Sequence, residues 1–476
     1  MIGREREQQE LMRLLEQSES QFCAVYGRRR IGKTFLIKET FRDKFAFYHT
    51  GLANADKADQ LQEFRHTLQT YGYKCRMPRT WYEAFHQLED YLSTREDEKK
   101  VVFIDEMPWM DTPNSKFVSA LEHFWNGWAN LRNDIVLIVC GSATSWIVSN
   151  IFQNHGGLYG RLTLQIYLRP FTLYECEQYL RSMDIVLTRK EVLEAYMIMG
   201  GVPYYWSYMR RGESLAQNID NIFFRQNAPL ANEFEALYRS LFHRPEGYIT
   251  IVEALTKKKA GMTREELLRE SCLNDNPVFV RQLQELEQCD FIRTYQKLGQ
   301  KKKETIYQLM DNFTLFYYRY MSANAMHDEH FWSNNISSPQ HNAWAGLAFE
   351  RVCFQHIKQI KQRLGIAGIS SSEYSFTYRP KAEEDPQWAV QIDMIINRAD
   401  GIVNLCEMKY AKDEYLVSAE EEAKVRKRLA CLSQRGKTKS AIHTVLITTF
   451  GVVNNSYSHI FQNIVKADDL FVPLPE

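Results

Sequence analysis

The residues between Gly27 and Thr34 have the types and spacing that bind a polyphosphate. Gly27-Arg28-Arg29-Arg30-Ile31-Gly32-Lys33-Thr34 matches the pattern G-x-x-x-x-G-K-[ST] at every fixed position. In such a loop, backbone N–H groups point at phosphate oxygens, the lysine reaches the outer phosphates, and the hydroxyl ligates Mg²⁺. The pattern predicts that residues 27–34 bind a nucleoside triphosphate, with Thr34 on the metal.

Two carboxylates further along the chain fit the same chemistry. The apolar run Val101–Ile104 ends in Asp105 and Glu106. In P-loop nucleotide hydrolases an Asp at the end of a core strand holds Mg²⁺, and a neighbouring carboxylate can take the proton of the attacking water. We expect Asp105 to bind the metal and Glu106 to act as general base. Without the loop at 27–34, an ordinary strand leaving the core would be the better interpretation.

A second chemical group lies near the C-terminus. Glu407 and Lys409 are two apart on a predicted strand and so share a face, and the turn at Asp400-Gly401 brings Asp393 beside them. Two carboxylates can hold Mg²⁺ on a scissile phosphate while a lysine orients the water. Glu350, on the preceding helix, is expected to complete the site. The alternative is a folded, inactive domain that only binds nucleic acid.

The elements around the first group predict a parallel sheet covered by helices. Apolar runs at 22–26, 45–49, 101–104 and 135–140 alternate with helical patterns, among them a helix over 81–91 that carries no motif. From Pro170 the pattern becomes helical. Residues 238–321 then predict helix, turn, helix and a lysine-rich hairpin at 296–303. That order is typical of a winged helix, which can place a helix in a DNA groove or serve as a spacer.

Composition sets wide limits on the class of protein. The chain has 476 residues, and 59 basic side chains balance 59 acidic ones, so net charge favours neither nucleic acid nor a membrane surface. We find no signal peptide and no apolar run long enough to cross a bilayer. The nine cysteines form no C-x-x-C pair. These features predict reduced thiols in a cytoplasmic protein.

The N-terminal motifs resemble those of the archaeal-type ATPases, near the AAA+ and STAND proteins. The resemblance rests on Ile2-Gly3-Arg4-Glu5, on Tyr26–Thr34 and on Asp105-Glu106. It implies ATP as the nucleotide and an N-terminal segment near the adenine. No N-K-x-D motif supports a GTPase.

The same resemblance implies roles for further residues. Ser142, after the strand 135–140, would sense the γ-phosphate or its water, although it could instead cap a helix. Arg161 would act as an arginine finger in a homo-oligomer, with Arg169 as the rival and an internal salt bridge as the alternative. Gly200-Gly201-Val202-Pro203 would form a hinge in a nucleotide-sensing lid.

The C-terminal residues resemble the PD-(D/E)xK nucleases, whose fold is restriction-endonuclease-like. Asp393 and Glu407-Met408-Lys409 carry this resemblance, and Gln391 departs from it where relatives often have an acidic residue. The sequence thus predicts an ATPase domain at 1–169, a helical lid at 170–235, a winged helix at 236–325 and a nuclease-like domain at 340–476. The expected function is ATP-switched cleavage of nucleic acid; the alternative is a STAND-like regulator that binds DNA or a protein.

Overall fold

Two compact units make up the chain, Met1–Pro170 and Phe171–Glu476. The structure, a computed structural model, describes residues 1–153, 157–242, 244–298, 304–322, 328–336, 338–380, 388–436 and 440–474. Within these ranges no helix combines the length and apolar character that crossing a bilayer requires. All nine cysteines are free.

The N-terminal unit is built on a five-stranded parallel sheet. Its strands are β1 Gln21–Tyr26, β2 Phe45–Thr50, β3 Lys100–Asp105, β4 Ile135–Gly141 and β5 Leu164–Tyr167. They lie in the order β2-β3-β4-β1-β5. Every residue of β3 and β4 is buried, as expected of a parallel sheet covered on both faces. The predicted parallel α/β sheet is confirmed.

Helices cover this sheet on both faces. They are α1 Glu5–Arg13, α2 Lys33–Phe41, α3 Lys57–Thr70, α4 Trp81–Ser93, α5 Phe117–Gly127 and the short α6 Thr144–Ile147. Successive residues of β1 feed opposite cores: Phe22 and Ala24 join one apolar cluster, Cys23 and Val25 the other. This alternation follows from the two-residue period of a strand. It leaves the carboxyl edge of the sheet free for polar residues.

The second unit begins with a group of helices. They are α7 Leu173–Ser182, α8 Arg189–Met199, α9 Pro203–Trp206, α10 Leu215–Ile219 and α11 Glu233–Leu241. Capping boxes begin α7 at Thr172, α8 at Thr188 and α10 at Ser214. In each, the side chain three residues later returns a hydrogen bond to the capping residue's backbone. These starts are written in the local sequence.

A mixed helical module follows. It contains α12 Glu246–Thr256, β6 Met262–Thr263, α13 Arg264–Ser271, α14 Pro277–Gln288, β7 Ile292–Tyr295 and β8 Ile306–Leu309. The three strands form an antiparallel sheet in the order β6-β8-β7. Residues 299–303, which carry most of the predicted lysine-rich hairpin, lie outside the described residues.

The C-terminal residues form a second five-stranded sheet with helices. After α15 Asn312–Phe316 and α16 Phe331–Asn335 come α17 Pro339–Gln355, α18 Ile357–Arg363, β9 Ser371–Tyr378, β10 Val390–Arg398, β11 Ile402–Lys409, α19 Ala419–Arg435, β12 Ala441–Thr448 and β13 Asn463–Lys466. The order is β13-β12-β11-β10-β9. β9, β10 and β11 are antiparallel to their neighbours, whereas β11, β12 and β13 run parallel.

The helix expected over 345–363 is two helices. His356 ends α17 with φ −110° and ψ 27°. Its buried ring accepts a hydrogen bond from the N–H of Leu173 at 3.0 Å, and its Nδ1 lies 2.9 Å from the carbonyl oxygen of Val352. These tertiary bonds explain a break that the local sequence does not announce.

A β-bulge interrupts β10 beside one predicted site residue. Ile392 pairs with Phe376 and Ile395 with Tyr374, so three steps along β10 match two along β9. Asp393 lies in this irregular segment. Bulges of this kind re-aim a side chain relative to regular alternation.

Candidate functional site

The loop between β1 and α2 is shaped by two glycines with positive φ. Gly27 has φ +138° and Gly32 φ +89°, values that L side chains rarely adopt. A Cβ at Gly27 would also lie 2.4 Å from the carbonyl oxygen of Leu168. Only glycine fits at this position, and the loop therefore stays tight against the end of the sheet.

Lys33 is held inside this loop. Its Nζ donates to the carbonyl oxygens of Gly27 and Arg28, both at 2.9 Å, and the residue is buried. A buried ammonium needs such partners because burial without them is costly. The bonds hold the charge of Lys33 inside residues 27–34, where the sequence predicts the phosphates to bind.

Thr34 and Asp105 meet at the carboxyl edge of the sheet. The Thr34 hydroxyl donates to Asp105 Oδ2 at 2.9 Å, and Asp105 Oδ1 accepts from the N–H of Glu106 at 3.0 Å. Asp105 is buried. A hydroxyl and a carboxylate are oxygen ligands of the kind that Mg²⁺ prefers. The predicted metal pair therefore has suitable chemistry, although residues 34 and 105 are 71 positions apart.

Ser142 contacts Glu106. Its N–H and hydroxyl both donate to Glu106 Oε2, at 3.2 and 2.9 Å. The sheet order explains the contact: β4, which ends at Gly141, lies between β1 and β3. Glu106 itself has φ +46°, uncommon for a non-glycine residue and frequent at functional sites. The predicted sensor and the predicted base thus form one hydrogen-bonded pair.

Arg4 links the N-terminal segment to this region. Its guanidinium donates to the carbonyl oxygen of Arg169 at 2.7 Å and to that of Ile31 at 3.4 Å. The side chain is buried. The sequence gave Arg4 only a place near the adenine. The structure adds a tie between the first helix, the phosphate loop and the end of the sheet.

Both candidate finger arginines are exposed. Arg161 makes no side-chain hydrogen bond or ion pair with any residue that the structure describes. The Arg169 guanidinium lies over the Tyr167 ring, 5.5 Å from its centroid. The alternative of a salt bridge for Arg161 therefore has no support among the described residues. The role of either arginine in a neighbouring subunit stays a prediction.

The Gly200–Pro203 turn is tightly packed. The N–H of Phe171 donates to the carbonyl oxygen of Gly201 at 2.6 Å, and a Cβ at Gly201 would lie 1.8 Å from the carbonyl oxygen of Phe171. Gly200 has φ +59°, and its carbonyl accepts from the Trp206 indole at 2.7 Å. Gly201 is therefore required by a close backbone approach.

The C-terminal carboxylates surround a lysine that the sequence did not single out. Lys259 Nζ lies 2.7 Å from Glu350 Oε1 and 3.5 Å from Asp393 Oδ2. Burial raises the pKa of Glu350, and the Asp393 charge raises it further, while Lys259 lowers it. The Lys259 carbonyl accepts from Gln308 Nε2 at 2.8 Å. A cation held by these two carboxylates is therefore an ammonium from the loop after α12.

Glu407 and Lys409 are paired separately. Glu407 Oε1 accepts from Arg428 Nη1 at 2.8 Å, and Lys409 Nζ lies 3.0 Å from Glu421 Oε1. Burial raises the pKa of Glu407; Arg428 and Lys409 lower it and Asp393 raises it. Gln391 donates to Asp393 Oδ1 at 2.7 Å. The predicted residues are thus electrostatic neighbours, each with a protein partner. Arg428 and Glu421 were missed because α19 gave no motif.

The base of the predicted wing packs on the C-terminal sheet. Lys297 forms a β-bridge with Ser375 of β9, and the N–H of Leu298 donates to the Ser375 carbonyl at 2.9 Å. Burial lowers the pKa of Lys297. This part of the hairpin is therefore half-buried, and not the solvated tip that its lysines suggested.

Comparison with known proteins identifies the N-terminal domain. The profile of an ATPase domain found predominantly in Archaea matches residues 1–209. An uncharacterised protein of Methanocaldococcus jannaschii is 25% identical over 374 residues, covering 76% of this chain and 78% of that protein. Residues 1–209 are an archaeal-type ATPase domain.

Two solved structures are similar at lower levels. The Walker-type ATPase of Pyrococcus abyssi has a TM-score of 0.46 at 16% identity, covering 66% of this chain and 95% of that chain. The ORC2 protein of Aeropyrum pernix, solved in ADPNP and ADP complexes, has a TM-score of 0.40 at 14% identity, covering 75% and 96%.

Proposed function

We propose that the chain is an ATP-hydrolysing switch protein whose C-terminal domain is a metal-dependent nuclease acting on DNA. The ATPase part rests on the match over residues 1–209 and on the contacts of Lys33, Thr34 and Asp105. The nuclease part rests on one observation: Glu350 and Asp393 share a cation, the ammonium of Lys259.

The ATPase residues fit a chemically complete step. Residues 27–34 would hold the triphosphate, and Thr34 and Asp105 would hold Mg²⁺, which offsets charge on the phosphate oxygens. Glu106 would accept the water proton as the water oxygen bonds the γ-phosphorus and the bond to the ADP oxygen breaks. Ser142, bonded to Glu106, would orient that carboxylate.

The C-terminal site would act once Lys259 leaves. Glu350, Asp393 and Glu407 would then supply oxygen ligands to Mg²⁺, a cation that prefers such ligands. Lys409 would orient the water whose oxygen bonds the scissile phosphorus as the bond to a sugar oxygen breaks, the water proton passing to solvent. An ammonium between two carboxylates marks a place where the protein already stabilises positive charge.

The module at 246–309 would bring the nucleic acid. Its order of helix, strand, two helices and hairpin is that of a winged helix, in which the third helix enters the major groove. Here that helix is α14, which exposes Arg281. A homo-oligomer would complete the ATPase site if exposed Arg161 reaches a neighbouring subunit.

Cleavage of plasmid and single-stranded DNA tests this proposal. Reactions would contain Mg²⁺ or Mn²⁺, with and without ATP, and would compare the native chain with Lys409→Ala and Asp393→Asn. Lys412→Ala, an exposed lysine three residues along, is the matched control. Phosphate release by the native chain and by Lys33→Ala would be followed in parallel.

We expect cutting by the native chain and the control, lost in both site variants, and phosphate release lost in Lys33→Ala. DNA binding without cutting under every condition would overturn the nuclease and favour the regulator. Unchanged phosphate release in Lys33→Ala would overturn the ATPase assignment.

A further inference from the structure

We infer that His86, Glu89 and His123 form a binding site for a borderline divalent metal ion such as Zn²⁺. The cluster lies in the N-terminal unit, on α4 and α5, and does not depend on the proposed function. Its three side chains each offer a ligand atom, and these atoms lie within 4.8 Å of one another.

The helices bring the ligands together. His86 and Glu89 are three apart on α4 and so lie on one face of that helix. His123 comes from α5, and its ring meets the His86 ring at a centroid distance of 5.7 Å and an interplanar angle of 79°. Ligand atoms about 2.0–2.2 Å from one ion are at most about 4.4 Å apart. Small rotations of exposed side chains would therefore close the site.

The carboxylate of Glu89 points independently to a missing cation. Its Oε1 is fully buried and has no hydrogen-bond donor among the described residues. Such an oxygen is costly, and orphaned buried polar atoms in native proteins mark unmodelled ions or waters. Burial raises the pKa of Glu89 to about 6, and His123 opposes that shift. A bound cation would satisfy the oxygen.

The donor set selects the class of metal. Two imidazoles and one carboxylate suit Zn²⁺, Ni²⁺, Cu²⁺ or Fe²⁺, whereas Mg²⁺ prefers oxygen ligands throughout. Three protein ligands leave a fourth position for water. The site is therefore chemically distinct from the predicted Mg²⁺ sites.

The surroundings hold His123 in place. Its ring lies 3.6 Å from a Cβ position at Gly127 and meets the Tyr82 ring edge-on at 5.9 Å. α4 precedes β3 in the chain and α5 follows it. An ion shared by both helices would join the elements on either side of the strand that carries Asp105, and we expect it to raise the stability of this unit.

Titration of the metal-stripped full chain with Zn²⁺ tests the site. Calorimetry would compare the native chain with His86→Ala, His123→Ala and Glu89→Gln, and Co²⁺ absorption would report tetrahedral nitrogen and oxygen ligation. His66→Ala, an exposed histidine on α3, is the matched control. Because Zn²⁺ can also bind other carboxylates, an Asp393→Asn variant keeps the C-terminal site separate.

We expect one tight ion in the native chain, in His66→Ala and in Asp393→Asn. Each cluster variant should lose more affinity than the roughly 10–100-fold that loss of an outer-shell partner costs. Zn²⁺ should raise the melting temperature of the native chain and not of His123→Ala. Equal Zn²⁺ binding by native and cluster variants would overturn the site. Should His123→Ala fail to fold, His86→Ala and Glu89→Gln decide the same question.

Discussion

The ammonium of Lys259 lies between the carboxylates of Glu350 and Asp393, 2.7 Å from the first and 3.5 Å from the second. Two like charges held this close need a cation, because each disfavours ionisation of the other. The lysine meets that need without a metal. Metal binding here therefore requires the loop at 257–260 to withdraw.

Lys259→Gln should convert the site from lysine-bound to metal-dependent. Loss of the ammonium leaves two carboxylates unpaired, and we expect roughly 1–3 kcal/mol less unfolding free energy without metal. Mn²⁺ or Mg²⁺ should restore that loss and bind more tightly than in the native chain. Melting curves with and without Mn²⁺ measure both effects. Lys257→Gln, which breaks an exposed pair with Glu270, is the control, and an identical response in the two variants would contradict this prediction.

Glu106→Gln should bind ATP and fail to hydrolyse it. The amide keeps the size of the side chain and cannot accept the water proton, so turnover should fall by about 10²–10⁴-fold. Nucleotide affinity and phosphate release measure the two steps separately. Ordinary turnover in the variant would remove Glu106 as the base.

Ser142→Ala should lower turnover with nucleotide affinity unchanged. The substitution removes the 2.9 Å hydroxyl bond to Glu106 and leaves the 3.2 Å backbone bond. A hydrogen bond to a charged group is worth about 1.5–3 kcal/mol, so we expect roughly a 10–100-fold fall in kcat. If Ser142 only capped α6, the melting temperature would change and kcat would not.

Hydrolysis per chain should rise with protein concentration if Arg161 completes a neighbour's site. Arg161→Ala should abolish that rise and lower kcat by about 10³-fold or more. Arg169→Ala tests the rival residue in the same assay. A rate per chain that is independent of concentration would argue against both.

Stability of the second unit should fall in mild acid because of His356. Burial lowers the pKa of this ring to about 4 from 6.5. Between these values the unfolded chain binds a proton that the folded chain does not, so the unfolding free energy falls as the pH drops, by about 3 kcal/mol in full. Urea unfolding at pH about 7 and about 5 measures it. His356→Gln should lose most of this slope, and exposed His66→Gln should keep it.

The phosphate loop was predictable because each fixed residue answers a local demand: a positive φ at Gly27 and Gly32, and a charge at Lys33. The parallel sheet followed from apolar runs of strand length. Lys259 was not predictable, since it is one of three consecutive lysines and lies 91 residues from Glu350. His123 likewise joins α4 only through the packing of two helices.

The bulge in β10 has a consequence for how this segment can vary. Ile392 and Ile395 belong to one apolar cluster, whereas Met394 and Ile396 belong to another. The segment around Asp393 thus changes sides by means of one extra residue, and its length matters as much as its composition. Insertions and deletions should be tolerated in the turn at 399–401 and not between 392 and 395, where removing one residue would restore regular alternation and turn the carboxylate away from Glu350.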